Sequence, residues 1–255
     1  MKVVIVMTYF ERPHQLKRTL ASIAKTSHKD FEVIIVDDAS EQEVQLGLCG
    51  YPITVLKTVH KQWINPEPAY NMGIYYAMLQ KPDVIVLQNA ECYHVGDVIA
   101  RAAEVQEDEY ISFGCFSINR EVTFSTHDIT ALLMSNELGA SHDGQNAWYN
   151  HPKYRPVAYD FCSAMRVENM RKLNGHDERF SAGIGYGDDY LLHRIKALGL
   201  KIEITTMPFV VHQWHYDLPV APNKAELIAR NRLLFHQLTQ ENHVRAEHLY
   251  TQDIF

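Results

Sequence analysis

Four stretches of this 255-residue chain carry side chains able to hold a phosphate, bind a cation or take a proton. The first joins VIVMTYFERP to IIVDDAS, so that Thr8, Phe10 and Arg12 follow one apolar run and Asp37 and Asp38 another. Asp38 can accept a hydrogen bond from a base N–H, and Thr8 with Arg12 can reach a nucleoside or its phosphate. An equally open reading makes Asp37 or Asp38 a cap and leaves Arg12 in solvent. The second stretch, PEPAYNMGIYYA, offers Asn71 as donor and acceptor, while Gly73 permits close approach of chain or ligand. The third, LQNAECYHVGDV, separates Glu91 and His94 by three residues. On a helical turn that spacing puts carboxylate and imidazole on one face, where they can share a metal or a diphosphate. The plainer alternative is a loop glutamate and a histidine near a helix start. The fourth combines GIGYGDDYLLHRI with VVHQWH: Asp188 and Asp189 open a helix behind a glycine-rich loop, and His212 and His215 end a strand. Helix starts favour carboxylates, which makes capping one explanation. A general base beside a metal site is the other.

Those residues need a scaffold that brings distant loops to one edge. Val3–Met7, Val33–Val36, Ile53–Val59 and Val84–Leu87 are β-rich runs separated by helical patterns, with Leu16, Leu20, Ile23 and Ala24 on one stripe and a helix over 68–79. Apolar strands without alternation, interleaved with helices, predict an α/β fold with a parallel sheet covered on both faces. Ligands then sit beyond the carboxyl ends of the strands. Further elements are expected as a helix over 96–107, strands at 110–116 and 161–167, a helix over 190–198, two short strands at 202–205 and 209–212, and an amphipathic helix over 223–238. Residues 117–158, polar and aromatic with weak periodicity, read as a long acceptor-facing insertion. The expected organisation is one domain over 1–240, with a nucleotide half (1–110) and an acceptor half (111–240), and a tail over 241–255.

Composition excludes several classes. The 31 acidic against 24 basic side chains give a net charge of −7, unsuited to gripping a polyphosphate backbone, so no nucleic-acid partner is expected. Cys49, Cys92, Cys115 and Cys162 are widely spaced and form no C-x-x-C pair, which indicates free thiols. No apolar run nears the roughly 20 residues that span a bilayer. The opening MKVVIVMTYFERP turns polar too early for a secretory leader. The expected address is the cytosol, with peripheral attachment to a membrane surface left open.

In order along the chain, VVIVMTYFERPHQLKRTLASI, VIIVDDAS, AYNMGIYYA, GYGDDYLLHRI and VVHQWH resemble the family 2 glycosyltransferases of the GT-A fold, over roughly residues 2–240. The resemblance implies inverting transfer of a sugar from a nucleotide diphosphate donor, usually UDP-linked, to the hydroxyl of a carbohydrate or glycoconjugate. It places Asp188 at the catalytic-base position. Thr8 and Asp38 match the positions that line the nucleoside, Asn71 the helix position that faces the donor, and Asp189 stands beside the base for the acceptor; Phe10, Arg12, Asn89 and Tyr186 complete the expected substrate contacts. His212 matches a histidine that in several members completes the metal site, and with Glu91 it is expected to hold a divalent metal, manganese or magnesium. Where the family carries Asp-x-Asp this chain has Gln88-Asn89-Ala90-Glu91, which leaves Glu91 as the anionic ligand, with His94 a further candidate. Tyr70 stands where an arginine often precedes the helix asparagine. Trp63, Trp148, Tyr149, Tyr186 and Trp214 offer flat faces for sugar rings or for the core, and the loop around Tyr186 is the candidate lid. A nucleotidyltransferase would need a glycine-rich basic phosphate loop near the first strand, which is missing. A non-catalytic nucleotide-sugar or glycan-binding protein of the same fold is the remaining alternative.

Overall fold

The computed structural model describes residues 1–47, 49–125, 146–216, 223–241 and 243–254. β1 (Val3–Tyr9), β2 (Phe31–Asp37), β3 (Ile53–Lys57) and β4 (Val84–Asn89) lie parallel in the order β3-β2-β1-β4. The sheet continues through β8 (Cys162–Arg166), β6 (Glu109–Ser117), β9 (Lys201–His212) and β5 (Cys92–Val95), and β7 (Trp148–Asn150) pairs with β6. Six of the nine strands among the described residues run in one direction, with β5, β7 and β8 reversed.

Why the strands lack alternation is visible in their packing. Successive side chains of a strand point to opposite faces, and here both faces are covered. Val3, Ile5 and Met7 of β1 meet Leu16, Leu20 and Ile23 of α1 (Pro13–Ile23) in one core. Val4 and Val6 meet Ala69, Ile74 and Ala77 of α2 (Glu67–Leu79) in the other. Gly73 serves this second layer: a Cβ there would lie 2.5 Å from Val6 Cγ1 and 2.9 Å from Val36 Cγ2. Of the two approaches Gly73 could permit, the structure realises that of the chain. Gly73→Ala is expected to destabilise the fold, because overpacking against two β-branched strand residues costs about 1–3 kcal/mol, more than the ~1 kcal/mol gained in helix propensity. A lower urea midpoint at unchanged m-value checks this.

Several expected boundaries shift. The helix anticipated over 96–107 is only α3 (Val98–Ala102), capped by the Asp97 carboxylate accepting from Ala100 N–H. Ahead of it Cys92–Val95 pairs antiparallel with β9. Glu91 and His94 therefore do not share a helical face. The two strands expected at 202–205 and 209–212 form the single β9, whose pairing with β6 shifts register between Ser112 and Gly114. In the insertion, α4 (Arg120–Phe124) and β7 are described, while 126–145 lie outside the described residues. α5 (Val167–Leu173), α6 (Gly187–Ala197) and α7 (Lys224–Leu238) complete the helices described. The expected tail is fastened to the domain. Ala246 N–H donates to Leu173 O, and the Glu178 carboxylate accepts from the amides of Leu249, Tyr250 and Thr251. Among the described residues no helix is long and apolar enough to cross a membrane.

Candidate active site

A crevice of about 320 Å³ opens where β1 and β4 end. Thr8, Arg12, Asn89, Glu91, Asp188, His212 and His215 all line it. Distant stretches of chain thus meet in one cavity, as open parallel sheets arrange their ligand sites.

Within its lining, Glu91 Oε1 lies 2.7 Å from Arg12 Nη1, 3.2 Å from His212 Nε2 and 3.5 Å from His215 Nε2. Burial opposes the charge on Glu91, yet the Arg12 guanidinium and the hydrogen bonds from both histidines hold its carboxyl well below the usual carboxylate range. Glu91 Oε2 is buried with no hydrogen-bond partner among the described residues. The ligand atoms of Glu91, His212 and His215 lie within 4.8 Å of one another, and one carboxylate with two imidazoles is a donor set suited to a divalent transition-metal ion. Gln213 positions this group: its side-chain amide donates to the carbonyls of Glu91 and Gln15, and its backbone N–H donates to Glu91 O. His94 points elsewhere, to Gln88 Oε1 at 2.9 Å, and burial pushes its pKa down to about 3.

Asp188 lines the same crevice from the first turn of α6. Its side chain is open to crevice water, but the surrounding protein, and then Asp189, raise its carboxyl to about 6. The loop before it is tied by buried Asn231, which donates to the carbonyls of Phe180 and Gly185. Arg194, fully buried, donates to the carbonyls of Leu173 and Gly175 and so docks α6 on the turn that carries His176.

Five expected substrate contacts do not line the crevice. Asn71 is fully buried behind it: Oδ1 accepts from His176 N–H, and Nδ2 donates to His176 O and Glu178 Oε1. Its helix faces the protein there, so Asn71 positions His176. Tyr186 turns away to pack on Phe235 at 5.6 Å, leaving Gly185 and Gly187 to line the cavity. Asp189 accepts from Tyr159 O–H at 2.7 Å. Asp38 is held by Lys61 and by Trp63 Nε1–H at 3.0 Å, and Phe10 lies under the Lys61 ammonium.

Glu67, Asp160 and His176 line the crevice without having been anticipated. Each is unremarkable in its own stretch of sequence: Glu67 reads as a first-turn acid and Asp160 as a polar residue before a strand. His176 stacks on Tyr70 at 4.8 Å, and burial pushes its pKa down to about 3. The imidazole is therefore neutral, and its 3.4 Å approach to Asp160 Oδ2 is not an ion pair. Burial, and then Asp188, push the Asp160 carboxyl well up. Tyr70 O–H also donates to Asn89 Oδ1 at 2.8 Å, fixing the amide at the end of β4.

Residues 3–173 match the model of Glycosyl transferase family 2. The chain belongs to that family. No curated protein matches it. Among solved structures, this family 2 chain is similar to GalNAc-T7 with UDP, GalNAc and Mn2+, at a TM-score of 0.65 and 16% identity over 94% of this chain and 50% of that one. It is also similar to S. aureus TarS 1–349 in complex with UDP-GlcNAc, at a TM-score of 0.57 and 12% identity over 91% of this chain and 66% of that one. At such identities the likeness speaks for the fold, and the fold of this family 2 member is that of the GT-A glycosyltransferases. The chain spans half to two thirds of the length of these two structures.

Proposed function

We infer that the chain is an inverting glycosyltransferase that moves a sugar from a UDP-linked donor to an acceptor hydroxyl. The observation that carries this reading is the crevice itself, lined by the carboxylate Asp188 and by the Glu91–His212–His215 group. Asp188 takes the acceptor proton. Its pKa of about 6 keeps it mostly ionised at neutral pH, while leaving it basic enough to accept that proton as the new bond forms. Arg12 supplies a guanidinium for the diphosphate. Glu91, His212 and His215 would hold a divalent cation, which when bound supplies a Lewis acid for charge on the leaving phosphoryl oxygens. Holding both substrates in line across the crevice lowers the barrier further. The choice of UDP is supported by the UDP and UDP-GlcNAc bound in the similar structures.

The test is UDP release from a panel of UDP-sugars with mixed carbohydrate acceptors, with Mn2+ and with EDTA. Turnover that needs both an acceptor and the cation is the expected outcome. Binding of UDP-sugars without turnover in any mixture would favour the non-catalytic reading.

A further inference from the structure

Glu67 begins α2, is 4% exposed and lines the crevice, yet only half of its carboxyl group is accounted for. Oε1 accepts from Asn65 Nδ2 at 3.3 Å, whereas Oε2 is buried with no hydrogen-bond partner among the described residues. A buried polar atom left without a partner is costly, and a ligand that supplies one recovers that cost. The backbone is shaped around this carboxyl: a Cβ on Gly187, the residue before Asp188, would lie 2.2 Å from Glu67 Oε1. Only glycine at 187 lets the Glu67 carboxyl stand against the first turn of α6.

We propose that Glu67 is a sugar-binding residue of the crevice, its Oε2 hydrogen-bonded to a hydroxyl of the sugar held beside Asp188. The proposal rests on the glycosyltransferase reading for its ligand class. The titratable groups facing Glu67 are Asp188 from α6 and Asp160 from the segment before β8, both acids. His176 in the same crevice is neutral, and the cation Arg12 is paired with Glu91. Burial first, and then these two acids, push the Glu67 carboxyl up to about 8. Near neutral pH it is a donor, and in this position a donor complements Asp188, which is an acceptor when ionised. Two groups of opposite hydrogen-bonding sense then fix a ring hydroxyl and its neighbour in one orientation.

The experiment is steady-state kinetics against pH for the parent, Glu67→Gln and Glu67→Ala, using whichever UDP-sugar and acceptor turn over in the panel, with UDP affinity by calorimetry as the check on folding. For the parent, kcat/KM is expected to rise through about pH 6 as Asp188 ionises and to fall through about pH 8 as Glu67 does. Glu67→Gln keeps a donor of similar size, so it is expected to retain sugar affinity near neutral pH and to lose the alkaline limb. Glu67→Ala is expected to raise KM about tenfold, the worth of one hydrogen bond. A rise in donor KM places the hydroxyl on the transferred sugar, and a rise in acceptor KM places it on the acceptor. An alkaline limb that persists in Glu67→Gln, or an unchanged KM for both substrates in Glu67→Ala, overturns the proposal. If the parent turns over in no mixture, the glycosyltransferase reading fails separately. A carboxyl carbon-13 titration of Glu67 and calorimetry of the same sugars against parent and Glu67→Ala then decide. A midpoint below about 5, in the ordinary carboxylate range, or indistinguishable binding, overturns the role given to Glu67.

Discussion

Asp188→Asn is expected to lower kcat on the order of 10²- to 10⁴-fold, the range a positioned general base contributes. Asparagine has nearly the same shape and no charge, so UDP affinity, proposed to rest on Arg12 and the Glu91 group, should stay within about threefold. The substitution should also abolish the rise of kcat/KM through about pH 6, because the group whose ionisation causes that rise is gone. Asp189 is the internal control for the neighbouring acid. It is bonded to Tyr159 rather than turned into the cavity, so Asp189→Asn is expected to retain most turnover. Rapid-quench measurement of the transfer step for both variants checks the contrast. An Asp188→Asn enzyme within threefold of the parent would remove Asp188 from the chemistry.

The second large effect is expected from Glu91→Gln. Among the described residues Glu91 is the carboxylate that faces Arg12, His212 and His215 together, so this change removes the anionic member of the only candidate cation group found there. If Lewis-acid assistance is worth about 3 kcal/mol, its loss costs roughly 10²-fold in turnover, at 1.36 kcal/mol per tenfold. Mn2+ affinity, read by electron paramagnetic resonance of free manganese, should weaken in parallel. Folding should suffer less than for a fully buried pair, because Arg12 is 23% exposed and can return to water. A variant with parental Mn2+ affinity and turnover would show that the carboxylate serves only to pair with Arg12.

The first hundred residues declared their architecture locally. A strand buried on both faces must be apolar at every position, and a covering helix must carry one apolar stripe, so β1, α1, β2, α2 and β4 are readable from short windows. Asp188, Asp189 and Arg194 were equally legible, since a single helix carries them at fixed spacing. β5 was not. Four residues carry too little pattern to be told from a helix start, and reading them as a helical turn set His94 beside Glu91 when the strand turns it to Gln88.

What the linear order determined by itself is therefore the sheet, its helices and the loops released at one edge, because those follow from hydrophobic period and turn chemistry over neighbouring residues. Tertiary structure alone decided which polar groups share the cavity. Glu67, Asp160 and Asp188 are separated by ninety-three and twenty-eight positions, and no local pattern joins them. Asn71 and Tyr186 show the same point in reverse, for whether a polar or aromatic side chain meets the ligand or the protein depends on what packs against its other side. The surroundings then set the chemistry, since the protein around Asp188 and the adjacent Asp189 make one carboxyl a base near pH 6, and burial makes Glu67 an acid until about pH 8.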